Sequence, residues 1–177
     1  MFFRSLATTV AFLSLIPAAL ADLDVRFVEG APKDRFVVKN VGKCELESLS
    51  IAIDLSSARG GLIFDTSAAG AGVEVYQPFE VTTGGHALVS AAAVTDGDQK
   101  IEIVLRRFAP GDEFAFTIDV DDTLIESSLG QTRVAGEEIE GALVTMANVD
   151  GGKGAISTGV FDTVGRARVG TGDCAIS

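Results

Sequence analysis

Apolar and polar residues alternate with a period of two along much of this chain, which is the pattern of half-buried β-strands. Residues 114–121 give the clearest case, because Phe, Phe, Ile and Val occupy the even positions while Ala, Thr and two Asp occupy the odd positions. Residues 49–55 and 101–106 alternate in the same way. Less regular runs raise the number of predicted strands to roughly nine, and they cover residues 23–28, 35–39, 61–64, 73–81, 139–146 and 155–161.

Turn sequences rich in Gly, Pro and Asp separate these runs, and helical periodicity is almost absent. Only residues 123–129 and the Ala-rich residues 87–93 could hold a helical turn. No linker interrupts the series of strands. The pattern therefore predicts an all-β chain with a single β-sandwich domain over residues 22–177, immunoglobulin-like in character, with a jelly roll as the alternative.

The first 21 residues have the features of a secretory signal peptide. A short start with the single Arg4 precedes an apolar run from Leu6 to Ile16, and small residues follow at Ala19 and Ala21. The apolar run is shorter than the roughly 20 residues needed to span a bilayer. We therefore expect cleavage after Ala21, no membrane insertion of the mature chain, and a secreted or periplasmic location.

The 177 residues include 14 Lys and Arg against 25 Asp and Glu, and the formal charge of −11 becomes −12 when Arg4 leaves with the signal peptide. Such an acidic surface repels phosphate backbones and anionic lipid headgroups. Nucleic acid and membrane surfaces are therefore not expected partners. With 47% hydrophobic residues, the chain is also far from the composition of disordered proteins.

Both cysteines, Cys44 and Cys174, lie in the mature chain. An even pair in an exported protein predicts one disulfide bond. On the chain-entropy model, closing so long a loop contributes on the order of 4 to 5 kcal/mol. A redox or metal-binding pair is the alternative, but the sequence has no C-x-x-C motif and no His close to either cysteine.

Residue types for nucleophilic catalysis are scarce. His86 is the only histidine, and no G-x-S-x-G motif occurs anywhere in the chain. One His and two cysteines that we expect to be oxidised cannot supply a tetrahedral zinc site. Tyr76 is the only tyrosine and Trp is absent, so little aromatic surface is available for stacking sugar rings. We therefore predict a non-enzymatic protein without catalytic residues.

Acidic residues at the end of the strand predicted over residues 114–121 form the strongest candidate site. Alternation places Asp119 and Asp121 on the same outward face, and Asp122 follows at the end of the strand. Neighbouring carboxylate oxygens are ligands that Ca²⁺ prefers. The sequence therefore indicates a calcium site at Asp119, Asp121 and Asp122, with a solvated acidic sheet face as the alternative.

The charges on the neighbouring strand bear on the choice between a calcium site and a solvated acidic face. Residues 100–107 are expected to form a hairpin with the acidic strand, in one of two registers. In one register Glu102 faces Asp119, and the two like charges favour a bound cation. In the other register Lys100 faces Asp119, and the two charges neutralise each other. The sequence does not distinguish the two registers.

Five segments carry a resemblance to a known family: residues 24–36, residues 40–44, Ile63-Phe-Asp-Thr66, Gly72-Val-Glu-Val-Tyr-Gln-Pro-Phe79 and Phe108-Ala-Pro-Gly-Asp-Glu-Phe-Ala-Phe-Thr-Ile-Asp-Val-Asp-Asp-Thr123. Together they resemble the bacterial secreted aggregation factor core proteins, which are named for similarity to the core protein of the marine sponge aggregation factor. The resemblance implies an extracellular adhesive or matrix role, calcium-assisted in the sponge case. It implies no catalytic residues. Unlike the sponge proteoglycan, this chain has no Asn-x-Ser/Thr sequon.

Three functional hypotheses follow. The first is an exported, disulfide-closed binding protein of the cell surface, envelope or matrix that contacts an extracellular protein, a glycan or another copy of itself, assisted by calcium. The second is a hydrolase that uses carboxylates as acid and base on a saccharide or peptide, and it requires buried, paired acids in a cleft. The third is a self-associating structural module without any ligand.

Overall fold

A computed structural model describes residues 20–68, 70, 72, 76–124, 129–131, 133–148 and 156–173, with the side chains of residues 20, 21 and 171–173 left out. Strands dominate the described part of the chain, together with one 3₁₀ turn at Gly85–Ala87. The strands are β1 Leu20–Val28, β2 Asp34–Asn40, β3 Leu46–Asp54, β4 Ile63–Asp65, β5 Glu80–Thr83, β6 Leu88–Ala91, β7 Lys100–Phe108, β8 Glu113–Asp121, β9 Leu143–Asn148, β10 Ser157–Val160 and β11 Arg166–Asp173.

These strands form two antiparallel sheets that pack face to face. The first sheet has the order β11-β1-β2-β8-β4, and β5 pairs with β8 beside β4. The second sheet has the order β10-β9-β3-β7-β6. The all-β sandwich predicted from the alternating pattern is confirmed.

The alternation explains the core, because every second residue of a strand points between the sheets. Buried aromatic side chains line the first sheet: the rings of Phe36 and Phe116 stack with centroids 5.2 Å apart, and Phe161 lies edge-on to Phe36 at 6.5 Å. The second sheet contributes mainly aliphatic residues, including Ile51, Ile53, Ile101, Ile103 and Leu105, all fully buried. The buried side chains form one continuous cluster between the sheets.

The hairpin expected between residues 100–107 and the acidic strand is wrong, because β7 and β8 belong to different sheets. Phe108 and Phe114 both point into the core, from opposite sides of it. Alternation is the same in a hairpin and in a connection that crosses between sheets, so the pattern could not separate them. Neither Glu102 nor Lys100 therefore faces Asp119.

Asn40 fixes this crossing at the corner of the sandwich. Its side-chain amide donates hydrogen bonds to the carbonyl oxygens of Phe108 and Cys44, each at 2.8 Å. Its backbone N–H donates to the carbonyl of Asp112 at 3.0 Å, and its own carbonyl accepts from Gly111 at 2.9 Å. One buried side chain thus joins the end of β2 to both the β2–β3 and the β7–β8 connections.

Several other local predictions differ from the structure. Residues 88–91 form β6 rather than a helical turn, because they pair with β7. A strand was expected over residues 73–81. The structure has β5 at residues 80–83, and residues 73–75 lie outside the described part of the chain. Strand β11 was not predicted, because its alternating Arg and small residues give only a weak apolar pattern. Residues 125–128 of the other proposed helical turn are not among the described residues.

Candidate metal centre

Strands β4 and β8 bring three aspartates together at the end of the first sheet. They pair antiparallel, with Asp65 directly opposite Asp119 and Ile63 opposite Asp121. Opposed residues of an antiparallel pair point to the same face, as do residues two apart on one strand. Asp65, Asp119 and Asp121 each therefore offer one carboxylate oxygen to a common point, and these oxygens lie within 4.8 Å of one another. We call this group the Asp65 cluster.

The Asp65 cluster is buried, which is the opposite of a solvated acidic face. Asp65, Asp119 and Asp121 are only 2%, 5% and 1% exposed. Within the described residues, Oδ1 of Asp65 and Oδ2 of Asp119 have no hydrogen-bond partner. Neither residue forms any of the ion pairs found in that part of the chain. Because a buried, unpaired carboxylate costs several kcal/mol, this arrangement calls for a proton or a cation.

The carboxyl groups of Asp65 and Asp119 hold their protons unusually tightly when no cation is present. Burial is the main cause that raises the pKa of Asp65 to about 7, and contacts with the carboxyl groups of Asp96 and Asp121 add to it. Burial, followed by the charges of Asp121 and Asp65, raises the pKa of Asp119 to about 7. Low dielectric and like charges thus act in the same direction on both groups.

A glycine backbone closes the Asp65 cluster on one side. A Cβ atom added to Gly72 would lie 2.2 Å from Cγ of Asp65 and 2.6 Å from Oδ2 of Asp121. Real Cβ atoms essentially never approach other atoms this closely. The chain can pass so near to the carboxylates only because residue 72 has no side chain.

Asp96 adds a fourth carboxyl group beside the cluster. Its Oδ1 accepts hydrogen bonds from the backbone N–H groups of Thr66, at 2.9 Å, and Ser67, at 3.2 Å. The turn that carries it is attached to β4, since Gly97 donates to the carbonyl of Phe64 at 2.9 Å. Asp96 therefore fixes the chain that directly follows Asp65.

Asp34, at the start of β2, supports the acidic end of β8 from the other side. Its carboxylate accepts hydrogen bonds from the N–H of Gly30 at 3.0 Å and from the N–H of Val120 at 3.1 Å. Burial raises the pKa of Asp34 to about 8, with a further contribution from the charge of Asp119, although the two hydrogen bonds lower it. Val120 lies between the two ligand candidates of β8, so Asp34 holds that part of the strand in place.

The structure thus groups two of the three predicted ligands. Asp119 and Asp121 share one face, as alternation predicts, but both are buried rather than outward in solvent. Asp122 is not part of the Asp65 cluster: its Oδ1 accepts a hydrogen bond from the N–H of Leu124 at 3.0 Å. Asp65 was missed, because nothing in a three-residue strand indicates which strand it will pair with.

The segments that precede the two predicted partners of the disulfide both contact β1. Cys44 follows β2 in the loop where Val41 and Gly42 donate hydrogen bonds to the carbonyl of Asp22 in β1, at 2.9 and 3.1 Å. Cys174 lies outside the described residues and follows β11 in the sequence, and Gly170 of β11 pairs with Asp22 of β1. The disulfide therefore stays a prediction. Strand β1 contacts both β11 and the loop before Cys44.

Comparisons with protein-family models, curated proteins and solved structures found no match to this chain. Among the described residues, no helix has the length and apolar character required to cross a membrane. The site and its chemistry therefore provide the basis for assigning a function.

Proposed function

We propose that this chain is an exported, non-enzymatic β-sandwich that binds Ca²⁺ at Asp65, Asp119 and Asp121 and acts in calcium-assisted adhesion at the cell surface, in the envelope or in the matrix. The observation that carries the calcium site is the group of three buried carboxylates with oxygens within 4.8 Å of one another. The signal-peptide sequence supports export, and the resemblance to aggregation factor core proteins supports adhesion.

Calcium fits the chemistry of the donors better than other metals. The cluster offers carboxylate oxygens and neither His nor Cys, and hard oxygen ligands suit Ca²⁺, Mg²⁺ and Mn²⁺ rather than zinc or copper. Ca²⁺ accepts irregular sets of six to eight oxygens, whereas Mg²⁺ requires near-ideal octahedral geometry. Backbone carbonyls or water would complete the set.

Calorimetric titration of the metal-free protein with CaCl₂ tests the site. We expect a single binding event, and Asp119→Asn should weaken it at least tenfold because one charged ligand is lost. Asp54→Asn, in β3 of the opposite sheet, removes the same charge away from the cluster and should bind calcium as the parent does. No heat in the parent protein, or equal loss in both variants, would contradict the proposal.

Adhesion is tested on cells that carry or lack the protein. Clumping should fall on deletion and on addition of a chelator, and the Asp119→Asn protein should fail to restore it where Asp54→Asn succeeds. If deletion leaves clumping unchanged, adhesion is not the function, whatever the calorimetry shows.

A carboxylate-based hydrolase is the second candidate, because buried and paired acids were its requirement. Against it, the orphaned oxygens of Asp65 and Asp119 each expose less than 1 Å² to solvent, so a saccharide or peptide cannot reach them. Turnover of an oligosaccharide or peptide by the chelated protein, abolished in Asp119→Asn, would replace the calcium proposal with this one.

A Cys44–Cys174 disulfide belongs to the same proposal. Its support is the shared neighbour β1, which pairs with β11 and accepts hydrogen bonds from the loop before Cys44. The bond would join the C-terminal strand to the β2–β3 connection. Mass measurement of the exported protein before and after reduction tests it.

A further inference from the structure

The outer face of β11, β1 and β2 carries a group of basic side chains around one buried acid. Asp24 is 3% exposed, and its Oδ1 accepts a hydrogen bond from Nε of Arg26 at 2.9 Å. Its Oδ2 accepts from Nε of Arg166 at 2.7 Å and from a terminal nitrogen of the same guanidinium. Arg168 adds an ion pair to the same oxygen at 3.6 Å. Lys39 is the residue opposite Asp24 on β2.

The side chains of Arg26, Lys39, Arg166 and Arg168, which we call the Asp24 patch, are positively charged in an acidic protein. Four cations surround a single carboxylate, while the chain as a whole carries a charge of −11. Glu113, which lies opposite Lys39 on β8, is itself paired with Arg35 at 3.6 Å. Even with Asp24 and Glu113 both counted against the four cations, the patch keeps an excess of positive charge.

Asp24 holds Arg26 by its Nε alone, so the terminal nitrogens of Arg26 are left for a ligand, while Arg166 uses two donors on Asp24. Arg26 and Arg168 remain 58% and 63% exposed. Among the described residues, the terminal nitrogens of both guanidinium groups make no hydrogen bond. Guanidinium groups present such donors as a planar fork that matches a carboxylate or sulfate. The hydrogen bond that anchors Nε of Arg26 lowers the conformational entropy that binding such an anion would cost.

The shape of the surface limits the size of the ligand. A depression of about 230 Å³ is lined by the charged residues Asp24, Arg26, Lys39, Glu113 and Arg166, together with Val37 and Val41. The patch spans three strands, or about 10 Å across at the spacing of strands in a sheet. A stable protein interface needs about 800 Å² on each partner, which is far larger. The patch therefore fits a ligand that has one or two acidic groups and an apolar ring face, which would lie against the two valines.

We propose that the Asp24 patch binds the carboxylate or sulfate groups of an acidic saccharide. The arginines would bind the anionic group, and the two valines would contact the non-polar face of the sugar ring. This site is separate from the Asp65 cluster, and binding should be equal in calcium and in chelator, so it can hold or fail independently of the proposed calcium site.

The test is titration with defined oligosaccharides at low ionic strength: a galacturonate hexamer, a heparin hexasaccharide and uncharged maltohexaose. Arg26→Gln combined with Arg168→Gln leaves Arg166 to pair with Asp24. The control combines Arg106→Gln with Arg107→Gln, which removes the same charge from β7 of the other sheet. We expect the acidic hexamers to bind, the neutral one not to bind, and the patch variant alone to lose at least tenfold in affinity.

Three results would overturn this inference. One is equal binding of the acidic hexamers by the patch variant and the parent. Another is inorganic sulfate binding as tightly as the hexamers, which would reduce the site to a general anion site. The third is self-association of the parent in sedimentation that the patch variant alone loses, without saccharide binding, since the occupant would then be a second copy of this chain.

Discussion

The stability of the metal-free protein should fall steeply as the pH rises from 5 to 6.5. Asp34, Asp65 and Asp119 keep their protons in the fold up to a pKa of about 8, 7 and 7. In the unfolded chain each would ionise near its ordinary value of 3.8. Between these limits the folded state binds more protons than the unfolded state, and stability therefore decreases with pH.

The magnitude follows from the number of protons retained. Each retained proton changes the free energy of unfolding by about 1.4 kcal/mol per pH unit, so the three acids together give a loss on the order of 4 kcal/mol per unit. Asp24 and Asp54 have a lowered pKa and act with the opposite sign, but only below their ordinary value of 3.8. The window from pH 5 to 6.5 therefore isolates the raised groups.

Urea denaturation at several pH values in this window, in chelator and in excess CaCl₂, measures the effect. Calcium binding requires ionised carboxylates and stabilises the fold by mass action, so the gap between the two series should widen as the pH rises. The double variant Asp65→Asn, Asp119→Asn should show a much shallower slope in chelator and no calcium effect. Metal-free stability that is constant or rises from pH 5 to 6.5 would refute the reasoning about the buried acids.

Three further predictions concern single positions. Gly72→Ala places a Cβ atom against two ligand carboxylates and should weaken calcium binding at least tenfold by calorimetry, whereas Gly85→Ala, whose Cβ would meet only a methyl group at 3.4 Å, should not. Asn40→Ala leaves two carbonyls without a donor and should lower the free energy of unfolding by about 1 to 3 kcal/mol in urea; an unchanged midpoint would contradict its role at the corner. Cys174→Ser should cost about 4 kcal/mol relative to the oxidised parent, and reductant should lower the parent to the same level if Cys44 is its partner.

The fold class could be predicted because it depends on a local property. Period-two alternation is visible in the sequence, and it identified the central strands β3, β7 and β8 closely. Strand pairing is not local, since the same alternation serves a hairpin and a crossing between sheets. The crossing at residues 109–112 depends on Asn40, which lies more than sixty residues earlier and which the sequence presents as an ordinary turn residue.

In the candidate site, too, local features could be predicted from the sequence and tertiary contacts could not. Asp119 and Asp121 could be placed on one face because they are two residues apart on a clear strand. Their burial could not be predicted, because it depends on β4 and on the backbone of Gly72 lying against the carboxylates. Asp65 and Asp96 reach the site only through that tertiary arrangement, and neither belongs to a recognisable calcium motif. A site assembled from separate connections leaves no spacing signature in the sequence.

The burial of the Asp65 cluster also determines how calcium could assist adhesion. An ion held by oxygens with almost no solvent exposure cannot itself bridge to a partner on another cell. It can, however, join β4 to β8, whose ligands are more than fifty residues apart in the chain. A strand of three residues has little stability of its own, and its acidic end repels that of β8 until a cation or protons intervene. Calcium would therefore act by fixing β4 and the connections attached to it, including the turn that carries Asp96.

In that case chelation should increase amide hydrogen exchange in β4 and in that turn, while β3 and β9 in the opposite sheet keep their protection. A chelator that loosened both sheets equally would instead assign the ion a role in the stability of the whole sandwich.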